Sequence, residues 1–163
     1  MSTGDPAAPL ADLPRIDEHA VTVPGPPAAA WDAVLRTLAE AFGRPRAGRT
    51  AAVLGCEPAT TRAWDRPAVG SSVPGFRIVS ASPPDLLVVA GRHRFSRYGI
   101  VFRFEPAGEG TRCRAESRAE FPGTAGRLYR AGVIGTGGHA LAVRSLLRHV
   151  RSAAGSGNGP IGG

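Results

Sequence analysis

Four side chains combine reactive chemistry with a spacing that could bring them together: Arg94, Ser96, Tyr98 and His139. Arg94, Ser96 and Tyr98 occupy alternate positions, so a strand there places all three on one face. His139 stands on the small and apolar stripe of a C-terminal helical pattern. A histidine can act as general acid or base near neutral pH. An arginine can hold a ligand carboxylate through two parallel hydrogen bonds. Each also has a plainer reading. His139 can be a core histidine with its hydrogen bonds satisfied, Tyr98 a core ring with its hydroxyl at a rim, and Arg94 a solvent-facing residue beside a turn. His93 falls in the opposite register to Tyr98 and is expected to be exposed. His19 and His149 have no evident partner.

Other chemistries fail on spacing. Gly135-Thr136-Gly137-Gly138 lacks the Gly-Lys-Ser/Thr ending of a phosphate loop and follows no strand. There is no Gly-x-Ser-x-Gly elbow. The four histidines lack the His-x-x-x-His spacing of a metal site. The carboxylates fall mostly on outer faces, so no acid pair is expected, and neither is a metal or a cofactor. Cys56 and Cys113 are far apart and form no Cys-x-x-Cys pair, so no disulfide framework is expected.

The elements that must position these residues follow from periodicity. Residues 111–121 alternate strictly, with Arg112, Arg114, Glu116, Arg118 and Glu120 on one side. The other side carries Thr111, Cys113, Ala115, Ser117, Ala119 and Phe121, five of the six small. A strand with one wet face follows. Its thin inner face needs bulk from an opposite wall, or it borders a cavity. Residues 94–105 read as a long strand with Tyr98, Ile100, Phe102 and Phe104 on one face. Pro106 to Gly110 forms the hairpin loop between the two. Glu18 to Val23 reads as an opening strand. From Ala28, Trp31, Val34, Leu35, Leu38 and Phe42 mark one helical stripe, which Gly43 ends.

Two short strands are expected at Ala51–Cys56 and Thr60–Trp64. Further strands are expected at Gly75–Ala81 and Leu86–Ala90, with turns at Ser82–Asp85 and Gly91. One last helix should run from a Thr124 cap to about Ala153. Its inner face carries Leu128, Gly132, Gly135, His139, Ala142, Leu146 and Val150, and its back carries Arg127, Arg130, Arg144, Arg148 and Arg151. Gly132, Gly135, Gly137 and Gly138 crowd its middle, each costing about 1 kcal/mol against Ala. Close backbone approach, a kink or an open space would account for them.

The chain has 163 residues and reads as one domain over residues 15–153. Residues 1–14 and 154–163 read as disordered tails. The net charge is +7, and all 20 basic residues are Arg. A basic body could attract nucleic acid or an anionic surface. The Arg residues alternate with Glu and lack the exposed aromatics of a single-strand binder, so nucleic acid is not the expected partner. No signal-peptide pattern and no apolar run near ~18 residues is present, which predicts a cytoplasmic protein without a membrane span.

The segment Val21-Thr-Val-Pro-Gly-Pro-Pro-Ala-Ala-Ala-Trp31-Asp-Ala-Val34 resembles the start of SRPBCC (START-like) proteins. There a strand runs through prolines into a helix with an early Trp. Val73-Pro-Gly-Phe-Arg-Ile-Val79, Pro83-Pro84 and the closing helix look similar too, over about residues 16–153. The resemblance implies an α+β helix-grip fold, a curved antiparallel sheet wrapped around a long C-terminal helix. It also implies an apolar cavity that takes a hydrophobic small molecule such as a lipid or polyketide. A minority of such proteins catalyse cyclisation or hydrolysis, and no family-wide catalytic motif carries over. The expected cavity lies between residues 111–121 and 128–146. Its expected lining is His139, Tyr98, Arg94, Ser96, Phe102, Ser117, Gly135 and Ala142. Binding is the leading reading. A cyclase- or hydrolase-like enzyme using His139 with Tyr98 or Arg94 is the alternative, and an Arg-rich nucleic-acid or anionic-surface binder is the third.

Overall fold

A computed structural model of the chain describes residues 8–156. Six strands form one curved antiparallel sheet: β1 Arg15–Pro24, β2 Ser72–Val73, β3 Phe76–Ser82, β4 Leu86–His93, β5 Ser96–Ala107 and β6 Gly110–Glu120. Their spatial order is β1-β6-β5-β4-β3-β2. Helices α1 Pro27–Phe42 and α2 Pro45–Leu54 connect β1 to β2. Helices α3 Gly123–Val133 and α4 Gly138–Ser156 follow β6. This is the α+β helix-grip arrangement.

The alternation in β6 is fully expressed. Thr111, Cys113, Ala115, Ser117 and Ala119 are buried, and the residues between them are not. Bulk over most of this thin face comes from helices. Cys113 and Ala115 share one core with Trp31, Val34 and Leu38 of α1 and with Val143, Leu147 and Val150 of α4. The Trp31 ring meets Phe104 edge to face at 5.8 Å. Phe102 is fully buried in the same core.

Residues 8–14, expected to belong to a tail, pack against the sheet. Leu10 and Leu13 are buried with Leu86, Val88 and Val101 on the outer face of the sheet. β4 is therefore covered on both sides, since Leu87 and Val89 face the main core. Gly99 makes room for this contact: a Cβ there would stand 2.5 Å from Leu10 Cδ1 and 2.7 Å from the Val89 carbonyl oxygen. Residues 1–7 and 157–163 lie outside the described residues. At the other end, α4 continues to Ser156 and buries Ala154, so the domain extends past residue 153.

Three further expectations are corrected. Residues 45–54 form a helix where a strand was expected from Ala51. Pro45 opens it, and Gly55, at φ 66, closes it with the left-handed turn that glycine adopts readily. Residues 55–71 are irregular, and Thr60–Trp64 forms no strand beyond an isolated bridge between Arg62 and Ser72. The β4–β5 turn falls at Arg94-Phe95, with His93 paired to Ser96, and not at Gly91.

The single C-terminal helix is two. α3 ends near Ile134, and Gly137 at φ +75 redirects the chain. Thr124 lies inside α3, whose N-terminal flank is Pro122 with no side-chain cap. The break resets the helical phase. The buried face of α4 is Val143, Leu147, Val150 and Ala154, while Ala142 is exposed.

Candidate functional site

A cavity of about 420 Å³ opens between the α1–α2 corner, the inner side of β5, the end of β6, and α3. Phe42 ends α1, and Ala47, Thr50, Ala51 and Leu54 give one face of α2. Phe76, Tyr98, Ile100 and Ala119 form the sheet floor. Phe121, Tyr129, Val133 and Ile134 close the far side. A second cavity of about 440 Å³ lies beside it, between α1 and the first turns of α4. The two share Ala41, Phe42, Phe76, Ile100 and His139.

An aromatic ladder runs along the first cavity. Phe42 meets Phe76 at 4.9 Å, Phe76 meets Tyr98 at 5.3 Å, and Tyr98 meets His93 at 5.4 Å. His93 meets Tyr129 at 4.9 Å, and Tyr129 stacks on Phe95 at 5.4 Å. Edge-to-face and offset contacts are the favoured ring geometries.

Burial disfavours the charged form of four polar groups on this wall, Tyr98, Cys56, Tyr129 and His93. The Tyr98 hydroxyl donates to the Gly75 carbonyl at 3.0 Å and also meets the Cys56 thiol. Burial raises the Tyr98 hydroxyl well above its ordinary range, with the neighbouring Cys56 adding to the effect. Burial likewise raises the Cys56 thiol and the Tyr129 hydroxyl, and it lowers the His93 imidazole. His93 Nδ1 lies 3.1 Å from the Phe95 N–H and accepts from it, which requires that nitrogen to be unprotonated. Arg118 also reaches the lining, and its guanidinium is bonded to Glu116 at 2.6 Å. Buried charges cost much more than buried neutral groups, so these four neutral groups suit an apolar guest.

His139 sits where the two cavities meet, at the start of α4. Its Nε2 lies 3.6 Å from Asp17 Oδ1, and the other oxygen of Asp17 is 3.2 Å from His19 Nε2. Asp17 pairs with Ser117 across β1 and β6. Asp17 Oδ1, His139 Nε2 and the Ser117 hydroxyl are buried without hydrogen-bond partners. One carboxylate thus stands between two imidazoles behind the cavity wall, and His19 does have a partner.

The expected site residues separate into two groups. Tyr98, Ser96 and His139 line the first cavity. Ala142 edges the second. Phe102 and Ser117 are buried in the packed sheet and line neither, and Gly135 is exposed in the break between α3 and α4. Arg94 is exposed in the β4–β5 turn and does not point inward, because the strand begins two residues later. The same shift of the turn brings His93 onto the inner face beside Ser96, where exposure was expected. The cavity lies at the Ala119–Phe121 end of β6 and does not follow its whole length. Cys56, Tyr129, Phe42 and Phe76 were missed. Pro45 and Gly55 bracketing ten residues was the signal for α2, and with it for the Cys56 wall.

No protein-family model and no curated protein matches the chain. Solved structures do. The crystal structure of Ara h 8.0201 aligns with a TM-score of 0.53 at 11% identity, over 86% of this chain and 97% of that one. A protein from Nitrosospira multiformis aligns with a TM-score of 0.54 at 12% identity, over 85% and 94%. The di-domain ARO/CYC StfQ from the steffimycin biosynthetic pathway aligns with a TM-score of 0.56 at 16% identity, over 91% of this chain and 54% of that one. At these identities the likeness is one of backbone architecture, and it reaches nearly the whole described chain: the protein has the helix-grip fold of SRPBCC-type proteins.

Proposed function

We propose that this protein binds a hydrophobic small molecule in the cavity bounded by α2, β5 and α3. The observation that carries this reading is a cavity of about 420 Å³ walled by Phe42, Phe76, Tyr98, Ile100, Phe121 and Tyr129. Its size falls in the range of small-molecule sites. The neutral state of His93, Cys56, Tyr98 and Tyr129 fits the same kind of ligand. A lipid or polyketide-like molecule has the required surface.

The enzymatic alternative rests on His139, which has Asp17 behind it. It lacks the two partners expected for it. Arg94 is outside the cavity, and the Tyr98 hydroxyl is occupied by Gly75. Binding is therefore the better-supported function.

The test uses 1-anilinonaphthalene-8-sulfonate as probe and palmitate as competitor. Ala51 is buried in α2 and lines the cavity, so Ala51→Trp fills it from the wall. The expected result is probe binding that palmitate displaces and that Ala51→Trp abolishes while the fold is kept. Probe binding indifferent to both palmitate and Ala51→Trp refutes the cavity as its site. Native mass spectrometry of protein from its own host then identifies a retained ligand by mass.

A further inference from the structure

The positive charge of this protein is concentrated on three helices. α2 and its leading residue carry Arg44, Arg46 and Arg49, α3 carries Arg127 and Arg130, and α4 carries Arg144, Arg148 and Arg151. No acid occurs in any of these helices. These eight leave twelve Arg against all 13 acids of the chain, so the rest of the molecule is almost neutral and slightly acidic. Among the described residues the two sets also differ in pairing. Arg15, Arg92, Arg97, Arg114 and Arg118 each bond to a carboxylate. None of the eight helix arginines has a carboxylate partner, and all eight are exposed.

Exposed apolar side chains share these helices. Four large ones are exposed among the described residues, and three are Val53 on α2, Leu128 on α3 and Leu141 on α4, at 77%, 72% and 62% exposure. Val53 lies one turn beyond Arg49, and Leu128 stands between Arg127 and Arg130. Leu141 shares a helical face with Arg144, Arg148 and Arg151. α2 and α3 wall the first cavity from two sides, and α4 begins at its junction with the second.

We infer that the rim of the first cavity formed by α2 and α3 docks on an anionic lipid bilayer, with Arg44, Arg46, Arg49, Arg127 and Arg130 on the headgroups and Val53 and Leu128 entering the interface. Unpaired guanidiniums beside single apolar side chains are the composition that interfacial binding uses. A single-stranded nucleic acid would use exposed aromatic rings, and none of the exposed large apolar side chains is aromatic. Docking goes beyond ligand binding and does not depend on what the cavity holds.

The test is flotation of the full chain with phosphatidylcholine vesicles, with and without phosphatidylglycerol. Binding is expected only with phosphatidylglycerol, and it should weaken as salt rises. Arg127→Gln with Arg130→Gln should lower affinity roughly thirtyfold, from about fivefold for each arginine near an anionic surface. Arg77→Gln with Arg112→Gln changes the charge equally on exposed sheet positions and should cost less than about threefold. Val53→Ser with Leu128→Ser should cost roughly tenfold. Equal binding to neutral vesicles, an equal loss from the sheet pair, or no effect of the serine pair overturns the inference. So does binding to duplex DNA or single-stranded RNA that is tighter than to the anionic vesicles.

Discussion

Tyr98 is the residue at which a structural and a ligand-binding role give opposite results. Its ring lies on the cavity wall, but its hydroxyl faces a buried backbone carbonyl, Gly75 O, at 3.0 Å. Tyr98→Phe keeps the ring and its contacts with Phe76 and His93. It leaves Gly75 O without this donor. A buried acceptor losing its partner costs about 1–3 kcal/mol. For a domain of this size each kcal/mol lowers Tm by about 2–4 °C, so a loss near 2 kcal/mol predicts a fall of about 4–8 °C. The apolar surface offered to a ligand is unchanged, so affinity for anilinonaphthalene sulfonate should stay within about twofold. Thermal unfolding and a fluorescence titration of the two proteins measure both. An unchanged Tm together with a tenfold loss of probe affinity would show that the hydroxyl holds the ligand, and the assignment of Tyr98 as wall would be wrong.

Acid should destabilise the cavity wall through His93. Burial holds its folded-state value below the ordinary 6.5, so the unfolded chain takes the proton first. Its share of stability is therefore complete above pH 6.5 and is lost as pH falls below that value. His93→Gln should flatten the Tm profile between neutral pH and pH 5, and an NMR titration placing His93 above 6.5 would contradict this sign. Leu10→Ala should cost about 2–5 kcal/mol, as for other large-to-small core changes, because Leu10 is buried against Val88 and Val101. A change within 0.5 kcal/mol by chemical denaturation would place residues 8–13 outside the folded unit. Asp17→Ala should cost about 1–3 kcal/mol by leaving the part-buried His19 Nε2 without its carboxylate partner at 3.2 Å. If denaturation finds it neutral, the Asp17–His19 contact does not stabilise β1.

Much of the fold was legible because it rests on local periodicity. The alternation of 111–121 survives residue by residue in β6, and the Trp31 stripe survives in α1. Tyr98, Ser96 and His139 reach the cavity because strand alternation and the apolar helical stripe pointed them inward. What failed was phase across a break. A turn at Arg94-Phe95 in place of Gly91 exchanged Arg94 for His93. A glycine turn at Gly137 shifted the buried face of the last helix from Ala142 to Val143. A strand shifted by one residue turns every side chain to the other face, so small errors in turn position become large errors in the site.

By itself, then, the sequence determined the strands β3 to β6, the α1 stripe, their wet and dry faces, and a deficit of bulk along β6. It could not say whether that deficit would be filled. Only the tertiary structure decided that α1 and α4 pack over Cys113 and Ala115 while α2 and α3 stand apart over Ala119 and Tyr98. It also decided which arginines find carboxylates, since ion pairs such as Arg114 with Glu18 form between strands distant in sequence. The physical reason is the same in both cases. Periodicity is carried by neighbours along the chain, whereas cavity volume and charge pairing depend on distances between elements that the chain brings together only when folded.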